Sequence, residues 1–159
     1  VATKTLDFKG GAKMAAKLRE LGARLGPGGA IKVGFLEGAT YPATADDPDK
    51  AGLPVAQVAF WNEFGTSRAP ARPFFRNYIS EHSDEWPAAL GAALKLSNYD
   101  TKQAFAIVGT VIKDGIVKSI VDTNSPALSP VTIARKGFAK PLIDTGVMQR
   151  SVDFVVDVK

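Results

Sequence analysis

The stretch from Val55 to Phe75 constrains this chain more than any other. Val55-Ala-Gln-Val-Ala-Phe-Trp-Asn-Glu-Phe reads as an apolar helix, and Gly65 is a natural residue just past its end. Pro54 fits the first turn, where a missing N–H costs little. Arg68-Ala-Pro-Ala-Arg-Pro then has to be extended, because each residue before a proline is biased away from helix. Phe74 and Phe75 follow, opening a further helix toward Glu81. A helix, a stop, a stiff linker and an aromatic restart form a packing and docking signal. Very little in this stretch is suited to chemistry.

The periodicity elsewhere is mixed. Gly11 to Leu25 reads as an amphipathic helix, with Met14, Leu18, Leu21 and Leu25 on one face and Gly26-Pro-Gly-Gly as its stop. Ile31 to Leu36 alternates as a strand, as does Val152 to Val158. Residues 37–54 carry no sustained period and predict an extended loop or hairpin. Ser83 is a candidate cap for a fresh helix containing Pro87, or the chain kinks there. Thr101 to Asp122 is a long helix with Phe105, Val108, Ile112, Ile116 and Ile120 as its stripe, widened by Ile107, Val111 and Val117. Its Gly109 and Gly115 suggest close approach of a neighbouring backbone. Ser129 and Asp144 are candidate caps for two short helices ending near Lys136 and Arg150. The expected fold is one α+β domain over residues 1–159: a small antiparallel sheet, about 31–36 with 152–158, packed by several helices.

The residue inventory excludes several chemistries. With 0 Cys there is no disulfide, thiolate zinc site or cysteine nucleophile. The 1 His, His82, leaves no histidine metal cluster within a subunit and no ordinary catalytic triad without it. Gly26-Pro-Gly-Gly follows a helix and precedes a strand, the reverse of a phosphate-binding loop. Asp46, Asp47 and Asp49 lack the spacing of a calcium loop. No enzyme activity, metal or cofactor is expected. No apolar run approaches the ~20 residues that span a bilayer, so no membrane partner is expected.

Charge leaves more open. The formal net charge of +4 permits contact with nucleic acid or an acidic surface without requiring either. Lys13, Lys17 and Arg24 are the candidate DNA-facing cations, and a basic nucleic-acid-binding domain is the alternative reading. Arg68, Arg72 and Arg76, with Phe74 and Phe75, suit a subunit or partner interface, since interfaces are enriched in arginine and aromatics. The same arginines can equally bond within the chain, to loop carbonyls and to residues such as Glu63.

Two segments together resemble a known family. Trp61-Asn-Glu-Phe-Gly-Thr followed by Ala69-Pro-Ala-Arg-Pro-Phe-Phe is similar to the signature of tail-completion or neck (head–tail joining) proteins of long-tailed bacteriophages. Leu128-Ser-Pro-Val-Thr-Ile-Ala-Arg-Lys-Gly, then Pro141-Leu-Ile-Asp-Thr-Gly-Val-Met-Gln-Arg-Ser, resembles a second pattern of the same group. Glu63, Phe64, Gly65, Thr66, Pro70, Pro73, Leu142, Asp144, Thr145 and Gly146 carry the likeness, with a structural role. The resemblance implies a non-enzymatic virion protein, assembled in the host cytoplasm, that forms a ring at the head-proximal end of the tail. Its implied partners are further copies of itself, six in a ring by family likeness, a tail terminator or tail tube protein, and head-completion or connector proteins, with nonspecific contact to packaged DNA.

Overall fold

The computed structural model describes residues 11–158 apart from 27, 36 and 44–49, so the aspartates at 46, 47 and 49 lie outside the described residues. The elements run α1 (Gly11–Leu25), β1 (Gly29–Phe35), α2 (Val55–Phe64), α3 (Phe74–His82), α4 (Trp86–Leu96), α5 (Thr101–Asp122), α6 (Pro130–Lys136), α7 (Val147–Arg150) and β2 (Val152–Val158). The fold is α+β, as the periodicity predicts. β1 and β2 form a two-stranded antiparallel sheet, with Phe35 opposite Val152, Val33 opposite Phe154 and Ile31 opposite Val156. An isolated pair of strands is marginal in water. Here its apolar face packs on α5, which also receives α3 and α4.

α5 organises the core. Asp100 caps it by accepting a 2.9 Å hydrogen bond from the Gln103 N–H. Ala104, Val108, Ile112, Ile116 and Ile120 are all buried. A strict four-residue spacing advances about 40° per step on a helix of 3.6 residues per turn, so the buried stripe winds around α5. Its early part meets the sheet and its later part meets α3. The two glycines mark those contacts: a Cβ on Gly109 would lie 2.5 Å from the Phe154 ring, and one on Gly115 would overlap Tyr78. Aromatic rings, not a neighbouring backbone, occupy the space. Ile107 and Val111 were expected to widen the stripe, yet both are exposed, because the winding carries the buried face away from them.

Two local expectations need correction. Ser83 caps nothing: Ser83–Glu85 form a 3-10 turn, and α4 begins at Trp86 with Pro87 in its first turn. Asp144 does not cap α7 either; Gly146 holds that position in the left-handed conformation, φ 74°. The amphipathic face of α1 is not core, since α1 contributes no buried residue and Met14 and Leu18 are 59% and 60% exposed. Ser129 does cap α6, accepting from the Thr132 N–H at 3.2 Å. The excursion after β1 is tied at its base as a hairpin: Tyr41 donates to Leu53 and Gly52 donates back to Tyr41, each at 2.9 Å. Among the described residues, no helix is long and apolar enough to cross a membrane.

Candidate functional site

The linker between α2 and α3 is where the first motif lies, and Glu63 is its centre. An apolar helix buries one stripe, and in α2 that stripe is Val55, Ala59 and Glu63, each four residues apart. A carboxylate at only 5% exposure needs donors. Glu63 accepts from the backbone N–H of Phe75 at 2.9 Å, from that of Arg76 at 3.1 Å, and from Arg76 Nε at 2.8 Å. Those N–H groups belong to the first turn of α3, where the residue at the cap position is Pro73 with no capping side chain. A helix start leaves such donors unpaired and carries partial positive charge. Glu63 therefore caps α3 from another helix.

The residues between make that reach possible. Gly65 turns at φ 78°, and a Cβ there would lie 2.7 Å from the Ala71 nitrogen. Only glycine allows the chain to fold back so closely. Thr66 Oγ1 accepts from the N–H groups of Arg68 and Ala69 at 3.2 and 3.1 Å, and Thr66 donates its own N–H to Ala69 at 2.8 Å. Arg72 donates its N–H to the Asn62 carbonyl at 2.7 Å. Pro70 and Pro73 stiffen the return strand.

The structure divides the expected interface residues. Arg72 is 6% exposed; its Nε donates to the Pro126 carbonyl at 2.8 Å and its Nη2 to that of Ala127 at 3.3 Å. Phe74 is 1% exposed. Neither is available to a partner of the subunit, so both leave the interface set and join the core. The reason is that the linker's return turns the start of α3 inward. Burial also lowers the Arg72 guanidinium below its ordinary value. Arg68 is exposed, Phe75 is half-buried, and Arg76 lies over the Phe64 ring at 4.6 Å while pairing with Glu63.

The segment just before the second motif braces this linker. Leu142 is buried, and the chain just before α6 supplies the carbonyls that hold Arg72. Lys136 donates to the carbonyls of Lys140, at 2.9 Å, and Ile143. Burial pushes its ammonium below the ordinary lysine value, against the attraction of Asp144. Asp144 pairs with Lys50 of the hairpin base at 3.0 Å. Partial burial would raise its carboxyl, but the Lys50 hydrogen bond and the charges of Lys50, Lys136 and Arg135 outweigh that and hold it low. The Thr145 carbonyl accepts from Arg150 at 2.9 Å.

Of the candidate DNA-facing cations, Lys17 and Arg24 both pair with Glu20, at 3.0 and 2.7 Å. Lys13 does not share in that pairing, so the free positive charge of this patch is smaller than the count of cations suggests. His82 lies near Glu85 on the surface and stacks by Tyr78 at 4.7 Å. Among the described residues, no group of His, Cys, Asp and Glu is placed to hold a metal ion.

One feature was missed by sequence reasoning. Beside the buried Val55–Ala59–Glu63 stripe, α2 exposes aromatics: Phe60 is 58% and Phe64 51% exposed, with ring centroids 4.6 Å apart. With Ala56, Phe75 and Arg76 they line a shallow recess of about 210 Å³. The four-residue spacing of the two phenylalanines was the available signal. No known protein family, curated protein or solved structure matches this chain.

Proposed function

We propose that this chain is a structural subunit of the neck of a long-tailed bacteriophage, completing the tail and joining it to the head as part of a ring. The single observation that best supports an assembly role is the exposed Phe60–Phe64 face beside Arg76. Aromatics and arginine around an open apolar recess are the composition of interface anchors. The motifs that resemble the neck family support the phage setting. Their polar groups serve as caps and braces, which suits a part that must be rigid when a neighbour docks.

The test is light scattering on the purified chain, alone and with purified tail tubes of long-tailed phages. The expected result is a closed oligomer or stoichiometric capping of tails, with Phe60→Ser folded yet defective in both. A monomer indifferent to tails, but binding short duplex DNA with a steep salt dependence, would replace this reading with the nucleic-acid one.

A further inference from the structure

A second uncovered surface pairs with a groove on the same molecule. The groove, about 580 Å³, has α5 as its floor (Val108 and Ile112), β1 along one side (Ile31 and Val33) and α3–α4 along the other (Ile79 and Leu90). No residue of β2 lines it, so it follows the edge of β1 that has no strand partner. α1, meanwhile, leaves Met14 and Leu18 in solvent. Its C-terminal end is fastened to the start of α5, with Arg24 donating to Asn98 at 3.3 Å and Thr101 donating to Leu25 at 2.8 Å. Among the described residues, the rest of α1 packs little on the other elements of its own subunit.

We infer that α1 of one copy docks in the β1–α3–α4–α5 groove of a second copy. The apolar stripe fits by length: Met14 to Leu21 spans about 10 Å, and the groove floor from Phe105 to Ile116 runs about 16 Å along α5. Its anchors recur at the spacing by which a helix fills an apolar groove. Charge matches as well. α1 carries Lys13, Lys17, Arg19 and Arg24 against Glu20. Glu81, Asp84 and Glu85 stand exposed at the α3–α4 junction, beside the groove residues Ser83 and Trp86. Helix and groove are different patches, so the contact is head-to-tail; repeated by rotation it closes a ring. The inference rests on the self-assembling part of the proposed function and names the surfaces that would perform it.

A chain with 0 Cys makes the test direct. Leu18→Cys and Leu90→Cys are prepared as separate proteins, mixed and oxidised, with Leu96→Cys as the control partner because Leu96 is exposed outside the groove. Disulfide dimers are expected from Leu18→Cys with Leu90→Cys and not from the control. Met14→Gln/Leu18→Gln is expected to weaken self-association by roughly 100-fold at unchanged helix content, since anchor side chains dominate such contacts. A cross-link formed only when both cysteines are in one chain would overturn the inference, because α1 would then cover its own groove. Oligomers or tail capping that persist without the cross-link and survive Met14→Gln/Leu18→Gln would overturn it while leaving the neck reading intact. A chain that neither self-associates nor caps tails would sink both.

Discussion

α1 and the α2–linker–α3 segment make opposite uses of apolar sequence. α1 has a clean amphipathic stripe, and the subunit half-buries its Leu21–Leu25 end while leaving Met14 and Leu18 exposed. α2 is apolar on nearly every side, yet it buries a glutamate and exposes two phenylalanines. The difference teaches that burial follows the neighbours a helix is given. α2 lies against α3, whose unpaired N–H groups reward a carboxylate on the inner face. α1 is fastened through its C-terminal end, and the Met14–Leu18 part of its stripe stays exposed.

Four measurements would break or sharpen that contrast, taken from the largest effect to the smallest. Arg72→Glu would set a carboxylate against the Pro126 and Ala127 carbonyls in a buried place, and should cost about 3–5 kcal/mol in urea unfolding. A variant of wild-type stability that fails only in assembly would return Arg72 to the interface. Glu63→Ala should cost about 2–4 kcal/mol, by removing a buried acceptor from the start of α3. Amide exchange should quicken first at Phe75 and Arg76; uniform quickening would mean that Glu63 is not a local cap.

Glycine replacements compare the open surface of α1 with the packed surface of α5. Gly109→Ala should destabilise by about 1–3 kcal/mol despite alanine's helix preference, because the new methyl meets the Phe154 ring. Gly22→Ala in α1 has open space around it and should stabilise by up to about 1 kcal/mol. Equal effects at the two positions would contradict the contrast. The smallest effect concerns pH. The Asp144 carboxyl is held below its unfolded value, so its contribution is present above the usual aspartate range and is lost as pH falls through the folded value. Asp144→Asn should therefore lower stability slightly near neutrality and match wild type in strong acid, as denaturant midpoints at each pH would reveal. The ion pair is partly exposed, which keeps the difference small.

Much of the fold was legible because its causes are local. The four- and three-residue recurrence in Thr101–Asp122, the alternation of Ile31–Phe35 and Val152–Val158, the stop at Gly65 and the Ser129 cap each depend on atoms within a turn or two of themselves. The candidate interface was less legible. Arg72 and Phe74 look like exposed anchors beside prolines until the chain's return buries them. Phe60 looks like core until Glu63 takes the inner face.

The order and type of the helices and strands, the absence of thiol chemistry and the stiffness of the Arg68–Pro73 linker were all determined by the amino-acid sequence itself. Tertiary structure alone decided that Glu63 caps a helix 12 residues away and that Arg72 is held by carbonyls 54 and 55 residues away. It also decided which apolar faces stay open. Backbone conformation responds to near neighbours along the chain, whereas the environment of a side chain depends on which distant segments the fold brings against it.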